Sequence, residues 1–84
     1  MNKRIVFVLE YHTGHEWRFY SRNGVIAPWY TLMDALAAAR VELRRGAWSF
    51  CITRCLQVDS TILLASEDAK IIREGSTLEE AAGI

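Results

Sequence analysis

The sequence predicts one small α+β domain, and three patterns support that fold class. Residues 5–9 are apolar on both faces and residues 16–20 alternate in polarity, which is typical of two strands. Residues 31–45 repeat apolar side chains at helical spacing, and residues 48–58 alternate again. A chain of 84 residues is too short to divide into two cores. We therefore expect residues 1–84 to form a single β-β-α-β-β domain.

The first two strands are expected to form a hairpin. Gly14 supplies the positive φ that a tight turn needs. A second turn at residues 22–24, Arg-Asn-Gly, ends the second strand. Alternation divides the second strand between two faces, with Trp17 and Phe19 on one face and Arg18 and Tyr20 on the other.

The helix is the best-defined element, because signals at both ends fix its limits. Thr31 can cap the first backbone amides, and Asp34 stands three residues later at the reciprocal position of a capping box. Gly46 supplies the stop. The apolar stripe that we expect to face the sheet consists of Leu32, Leu36, Ala39 and Leu43.

The third strand, residues 48–58, is expected to present a mostly apolar face to the helix. That face consists of Trp48, Phe50, Ile52, Leu56 and Val58, interrupted by Arg54. Residues 61–65 predict a fourth strand, and residues 70–73 predict either a short edge strand or a packed tail. Residues 77–80 repeat a capping-box pattern and predict a short C-terminal helix. The simplest antiparallel sheet then has the order 2-1-3-4 and is covered on one face by one helix.

That arrangement leaves a second sheet face without a covering element. We expect this face to consist of Val6, Val8, Arg18, Tyr20, Cys51, Thr53 and Cys55. Such a face is too apolar for an ordinary solvated surface. A chain without net charge also offers no electrostatic opposition to self-association. The sequence therefore predicts a homodimer that covers this face.

Charge and composition argue against several function classes. Ten basic and ten acidic side chains cancel, which removes the long-range attraction that drives non-specific nucleic-acid binding. No apolar run approaches the roughly 20 residues that cross a bilayer, and the N-terminal run is too short for a signal peptide. Cys51 and Cys55 stand about 13 Å apart along one strand, beyond the reach of a disulfide. Free thiols fit a reducing compartment, so we expect a cytoplasmic protein without membrane contact.

The candidate chemical groups do not indicate an active site or a metal centre. His12, His15 and Glu16 lie around the first turn, but a stable site needs further ligands held by a second shell. Cys51 and Cys55 lie mid-strand, without the oriented base that a nucleophile requires. No carboxylate pair is spaced for acid and base work. We expect no catalytic residue, no metal and no cofactor.

Aromatic and arginine side chains indicate a protein interface instead, because these residue types carry most of the binding energy at protein contacts. The predicted partner-binding residues are Arg18, Tyr20, Trp29, Tyr30, Val41, Arg44 and Arg45. An alternative is base stacking on the open sheet face, as in RNA-binding sheets. The glycine-aromatic signature of such sheets is missing, so nucleic acid is an unlikely partner.

Residues 16–20 (Glu-Trp-Arg-Phe-Tyr), residues 30–40 (Tyr-Thr-Leu-Met-Asp-Ala-Leu-Ala-Ala-Ala-Arg) and the strand that follows resemble small accessory proteins of bacteriophages and other mobile elements, including anti-CRISPR proteins. The resemblance covers about the first 58 residues and is a generic architecture. It implies a non-enzymatic protein that inhibits or regulates a host protein, for example a defence complex, by occupying its surface. The alternative is a nucleic-acid-associated regulator that uses the open sheet face.

Overall fold

The sheet is built on two long central strands, with shorter strands along both sides. The structure, a computed structural model, describes residues 2–63 and 70–75. Its elements in chain order are β1 (Lys3–His12), β2 (Trp17–Phe19), β3 (Ser21–Arg22), β4 (Val25–Ile26), β5 (Pro28–Trp29), α1 (Leu32–Arg44), β6 (Ser49–Val58), β7 (Thr61–Leu63) and β8 (Lys70–Gly75). The predicted class, a small α+β domain with an antiparallel sheet and a helix, is confirmed.

β1 and β6 form the centre of the sheet. They pair antiparallel along their whole length, from Lys3 opposite Val58 to His12 opposite Ser49. On the outer side of β1, β2 and β5 pair with successive segments. On the outer side of β6, β8 and β7 do the same. The main path is β2-β1-β6-β7, and β5 and β8 are additional neighbours. The predicted four-strand sheet is therefore incomplete, since a two-residue strand such as β5 is too short to show a period.

A second, separate hairpin interrupts the link between β2 and the helix. β3 and β4 pair antiparallel across residues 23 and 24. Asn23 and Gly24 have φ values of 53° and 78°, and two successive positive values are the requirement of a type I′ turn. The turn predicted at residues 22–24 thus closes a hairpin of its own.

The helix begins and ends at its capping signals. The hydroxyl of Thr31 accepts a hydrogen bond from the backbone N–H of Asp34 at 3.1 Å, which satisfies one free amide of the first turn. At the other end Gly46 has a φ of 105°, and its N–H donates to the carbonyl of Leu43. The N–H of Ala47 donates to the carbonyl of Glu42, and this second bond completes a Schellman motif. These contacts confirm the predicted helix limits.

Small side chains hold the helix close to the sheet. The helix-side core consists of Leu9, Ala35, Ala39, Phe50 and Ile52, all fully buried. Leu32, Leu36 and Leu43 pack around this core and are only partly buried. Ala39 of the predicted stripe is thus buried at its centre together with Ala35, which the prediction did not include, and the three predicted leucines lie around them. A close-packed interior leaves room there for small side chains only, because Phe50 fills the space below.

The side chains of β2 face opposite to the prediction. Directly paired residues share a face, and β2 pairs Trp17 with His12 and Phe19 with Glu10. Even-numbered residues of β1 point away from the helix, as the burial of Val6 and Val8 in a separate cluster shows. The structure therefore places Trp17 and Phe19 on the second face.

Arg18 and Tyr20 consequently lie on the helix side, and Tyr20 packs against the helix-side core. The prediction that both belong to the second face is wrong. The error arises from the pairing register between β2 and β1, because a shift of one residue exchanges the two faces of a strand. Aromatic side chains on both faces of β2 leave the covered face ambiguous in the sequence.

Part of the second face is covered within the chain. Val6, Val8 and Cys55 are buried, and Ile26 and Ile62 pack against them. Cys51 is buried as well. The exposed apolar face on which the predicted homodimer depended is therefore not present at these residues. The homodimer itself stays a prediction.

Other predictions concern the end of the chain. Residues 61–63 of the predicted fourth strand form β7, residues 64 and 65 lie outside the described residues, and the predicted segment 70–73 lies within β8. The short helix predicted at residues 77–80 lies outside the described residues.

Trp48 precedes β6 and is largely exposed, so it does not join the helix-side core as predicted. Within the described part of the chain, no helix has the length and apolar character to cross a membrane.

Candidate functional site

Three large aromatic side chains are exposed at the hairpin end of the sheet. Trp17, Phe19 and Trp48 have 43%, 38% and 65% of their surface exposed, and we refer to them as the aromatic patch. Trp17 and Phe19 come from β2, and Trp48 comes from the residue before β6. Two of them belong to an edge strand, and the third precedes a central strand and donates its backbone N–H to a carbonyl of β1, so the patch is built on hydrogen-bonded backbone.

His12 joins the two tryptophans of the patch. Its ring meets Trp17 edge-on with centroids 5.2 Å apart, and it lies 6.0 Å from the ring of Trp48. The backbone N–H of Trp48 donates to the carbonyl of His12 at 2.8 Å. The Nδ1 atom of His12 accepts a hydrogen bond from the N–H of Gly14 at 3.0 Å. Because Nδ1 is an acceptor, the neutral ring carries its proton on Nε2.

Gly14 allows Trp48 to lie close to the hairpin. A Cβ atom at this position would stand 2.9 Å from Cε2 of Trp48, and the φ of Gly14 is 100°. The backbone conformation therefore favours glycine, and a Cβ would fit only if the ring of Trp48 moved away. The turn and the aromatic patch are thus one structural unit.

A carboxylate lies beside the patch. Glu10 is half-buried and pairs with Phe19 on one side and Cys51 on the other. Desolvation by burial raises the pKa of Glu10 above the ordinary value of a glutamate. Ion pairs within the described residues join Arg18 to Glu16 at 2.8 Å and Arg45 to Glu42 at 3.5 Å, and neither includes Glu10.

Three of the predicted partner-binding residues lie near the start of the helix. The rings of Tyr20 and Trp29 are 5.4 Å apart, and both pack against the helix-side core. The guanidinium of Arg22 lies over the ring of Trp29 at 5.0 Å. Tyr30 is 56% exposed, and Arg4 lies over its ring at 4.8 Å. Part of the surface of these rings is therefore already covered, either by the helix-side core or by Arg4 and Arg22.

The other predicted partner-binding residues lie elsewhere. Arg18 is exposed in β2 and forms the ion pair with Glu16. Val41, Arg44 and Arg45 are exposed at the C-terminal end of the helix. The structure thus distributes the seven predicted residues over β2, the segment before the helix and the helix end.

The residues weighed for metal or thiol chemistry are also placed. His15 is exposed at the turn, and Glu16 is engaged by Arg18. In the described part of the chain, no three His, Cys, Asp or Glu side chains are grouped as metal ligands. Cys51 and Cys55 are buried and form no disulfide. Burial raises the pKa of the Cys55 thiol.

A groove lies at the opposite end of the second face. Its volume is about 470 Å³, and its lining comes from the β3–β4 hairpin, residue 28, the end of β6 and β7. Gln57 lines it, is 8% exposed, and has an Oε1 atom without a hydrogen-bond partner among the described residues. That oxygen is itself inaccessible to solvent, so it offers no contact to a ligand in the groove.

The aromatic patch and Glu10 are the site that sequence reasoning missed. Part of the signal was present, since Trp17, Phe19 and two histidines lie around one glycine turn in the sequence, but the predicted faces put Trp17 and Trp48 in the core. No protein-family model, no curated protein and no solved structure matches this chain.

Proposed function

We propose that the protein is a small non-enzymatic binding protein that places its aromatic patch against the surface of a partner protein. The observation that carries this proposal is the exposure of Trp17, Phe19 and Trp48 around His12. Tryptophan is among the residues that most often dominate the energy of protein interfaces. Aromatic side chains also bury a large apolar area with few rotatable bonds.

The patch is held in place before any partner arrives. Trp17 belongs to a paired strand, Trp48 lies over Gly14, and His12 contacts both rings. These side chains are already ordered before binding, so association costs less conformational entropy. A preformed aromatic surface of this kind favours steric occupation of a partner over chemistry on a substrate.

The nature of the partner follows from the resemblance to accessory proteins of phages and mobile elements. We place the protein in the cytoplasm of a host cell, where it inhibits or regulates a host protein, for example a defence complex, by covering its surface. A homodimer would compete with the partner for the same patch, since Val6, Val8 and Cys55 of the second face are already covered.

A nucleic-acid-associated regulator is the second candidate, and one observation favours it. Trp17 and Phe19 lie on a sheet face, where exposed aromatic rings can stack on bases. Charge opposes it, because the titratable side chain paired with Phe19 is the acid Glu10. Phosphate binding requires basic groups, and Arg18 lies on the other face of β2. We therefore rank a protein partner first.

The test compares patch variants with a matched exposed residue. Met33 on the helix is 73% exposed and serves as the control. The partner is captured from host lysate with tagged protein, identified, purified, and titrated by calorimetry. Trp17→Ala and Trp48→Ala should each weaken affinity by about 30-fold, equivalent to about 2 kcal/mol, whereas Met33→Ala should bind like wild type.

Two results would contradict the proposal. One is a partner that binds Trp17→Ala and Trp48→Ala as tightly as Met33→Ala. The other is tight oligonucleotide binding that persists at physiological salt, since counterion release makes such binding steeply salt-dependent. The second result would favour the nucleic-acid-associated regulator.

A further inference from the structure

We infer that the aromatic patch receives a cationic side chain of the partner, an arginine or a lysine, and that Glu10 is its counter-ion. This inference rests on the proposed function and specifies the chemistry of the partner's anchor. It uses a carboxylate that the proposed function leaves without a role.

Glu10 stands in the right place for a counter-ion. It shares a face with His12 two residues along β1, and that face carries Trp17 and Phe19 on the neighbouring strand. Directly opposed side chains have Cβ atoms about 4.5–5.5 Å apart. The Glu10 carboxylate therefore emerges beside the ring of Phe19 and within one residue pair of Trp17.

Within residues 2–63, Glu10 also lacks the basic partner that Glu42 has. Glu42 is buried and has Arg45 at 3.5 Å. Glu10 is half-buried, and no side-chain hydrogen bond or ion pair reaches its carboxylate from residues 2–63. Desolvating a carboxylate is unfavourable unless a charge or donor compensates. A cation from a partner would provide that compensation.

The aromatic rings supply the second half of the site. Cations bind over the faces of tryptophan, tyrosine and phenylalanine, and residues 2–63 contain three such contacts, the longest being Arg22 over Tyr20 at 6.0 Å. Arg4 lies over Tyr30 at 4.8 Å, and Arg22 lies over Trp29 at 5.0 Å. In residues 2–63, no arginine or lysine lies over a ring of the aromatic patch in the same way.

Arginine fits this arrangement better than lysine. Its planar guanidinium can stack on an indole ring while it donates two parallel hydrogen bonds to a carboxylate. The compact ammonium of lysine satisfies only one of these geometries at a time. We therefore expect arginine to be the preferred anchor.

The experiment selects peptide ligands for the patch without knowledge of the natural partner. A library of random displayed peptides is panned on the full chain, and clones that also bind the Trp17→Ala, Trp48→Ala double variant are removed. The remaining peptides should be enriched in arginine or lysine. In synthetic versions, replacing the basic residue by citrulline or norleucine should lower affinity about tenfold.

Protein variants test the counter-ion. Glu10→Gln should lower the affinity of a selected arginine peptide by about tenfold and make it insensitive to the citrulline replacement. Asp34→Asn, which removes an exposed acid on the helix, is the matched control and should bind like wild type. Circular dichroism confirms that both variants are folded.

The possible failures separate the two proposals. Patch-dependent peptides with neutral or acidic anchors, or with unchanged affinity for Glu10→Gln, would overturn the cation inference and leave the proposed function standing. A library that yields no ligand dependent on Trp17 and Trp48 would overturn both.

Discussion

Gly14 is the position where one added methyl group tests the geometry of the aromatic patch. A Cβ there would stand 2.9 Å from Cε2 of Trp48, and the φ of 100° is unfavourable for any other residue. Carbon atoms in contact lie about 3.5–4.0 Å apart. Because Trp48 is 65% exposed, we expect its ring to rotate into solvent in Gly14→Ala and so avoid the steric overlap.

The expected loss has two parts. Backbone strain at this φ should lower the free energy of unfolding of Gly14→Ala by about 1–2 kcal/mol. Loss of the contact between Trp48 and His12 should add about 1 kcal/mol. Urea unfolding followed by circular dichroism measures the sum, about 2–3 kcal/mol. Tryptophan fluorescence reports the ring, whose emission should shift to longer wavelength as water surrounds it.

Gly46→Ala is the matched control. Its φ of 105° is nearly the same, and a Cβ there would meet no heavy atom within 4 Å. It should show the strain alone, so the difference between the two variants isolates the Trp48 contact. Equal losses of stability, or unchanged emission from Gly14→Ala, would refute the placement of Trp48 over the turn.

Two further substitutions test the core and the half-buried acid. Phe50→Ala empties the space between helix and sheet and should cost about 3–5 kcal/mol in urea unfolding; a loss no larger than that of Phe50→Leu would contradict the packing. Burial raises the pKa of Glu10, so the stability associated with its protonated form is lost as pH rises through that raised pKa. Glu10→Gln should therefore melt above wild type at neutral pH, and the two should converge in acid below the ordinary glutamate pKa. A lower melting temperature for Glu10→Gln at neutral pH would show that Glu10 already has a favourable partner.

The helix is predictable from the sequence because its determinants are local. Thr31 and Gly46 act on backbone groups within one turn, and the observed contacts are the ones their residue types favour. The long strands are predictable for a similar reason. Residues 48–58 alternate in polarity over eleven positions, and residues 5–9 are apolar on both faces. Both patterns are typical of strands and fit few other structures.

The candidate site is not predictable in the same way, because it depends on register between strands. Whether Trp17 or Arg18 faces the helix is decided by its pairing with β1, and the alternation within β2 is compatible with both arrangements. Tertiary contacts also decide Trp48, whose position after the helix suggests burial. Its ring lies instead over Gly14, a contact that no spacing rule connects to the end of a helix.

The pairing of residues 3–12 with residues 49–58 has a kinetic consequence. Contacts between residues distant along the chain form slowly, because a long loop must close before they are gained. During synthesis β1 leaves the ribosome first and stays without its main neighbour until β6 has emerged. The helix can form in that interval because its caps are local. The central sheet is then a late step of folding, and an apolar strand remains open to capture by other chains until it is complete.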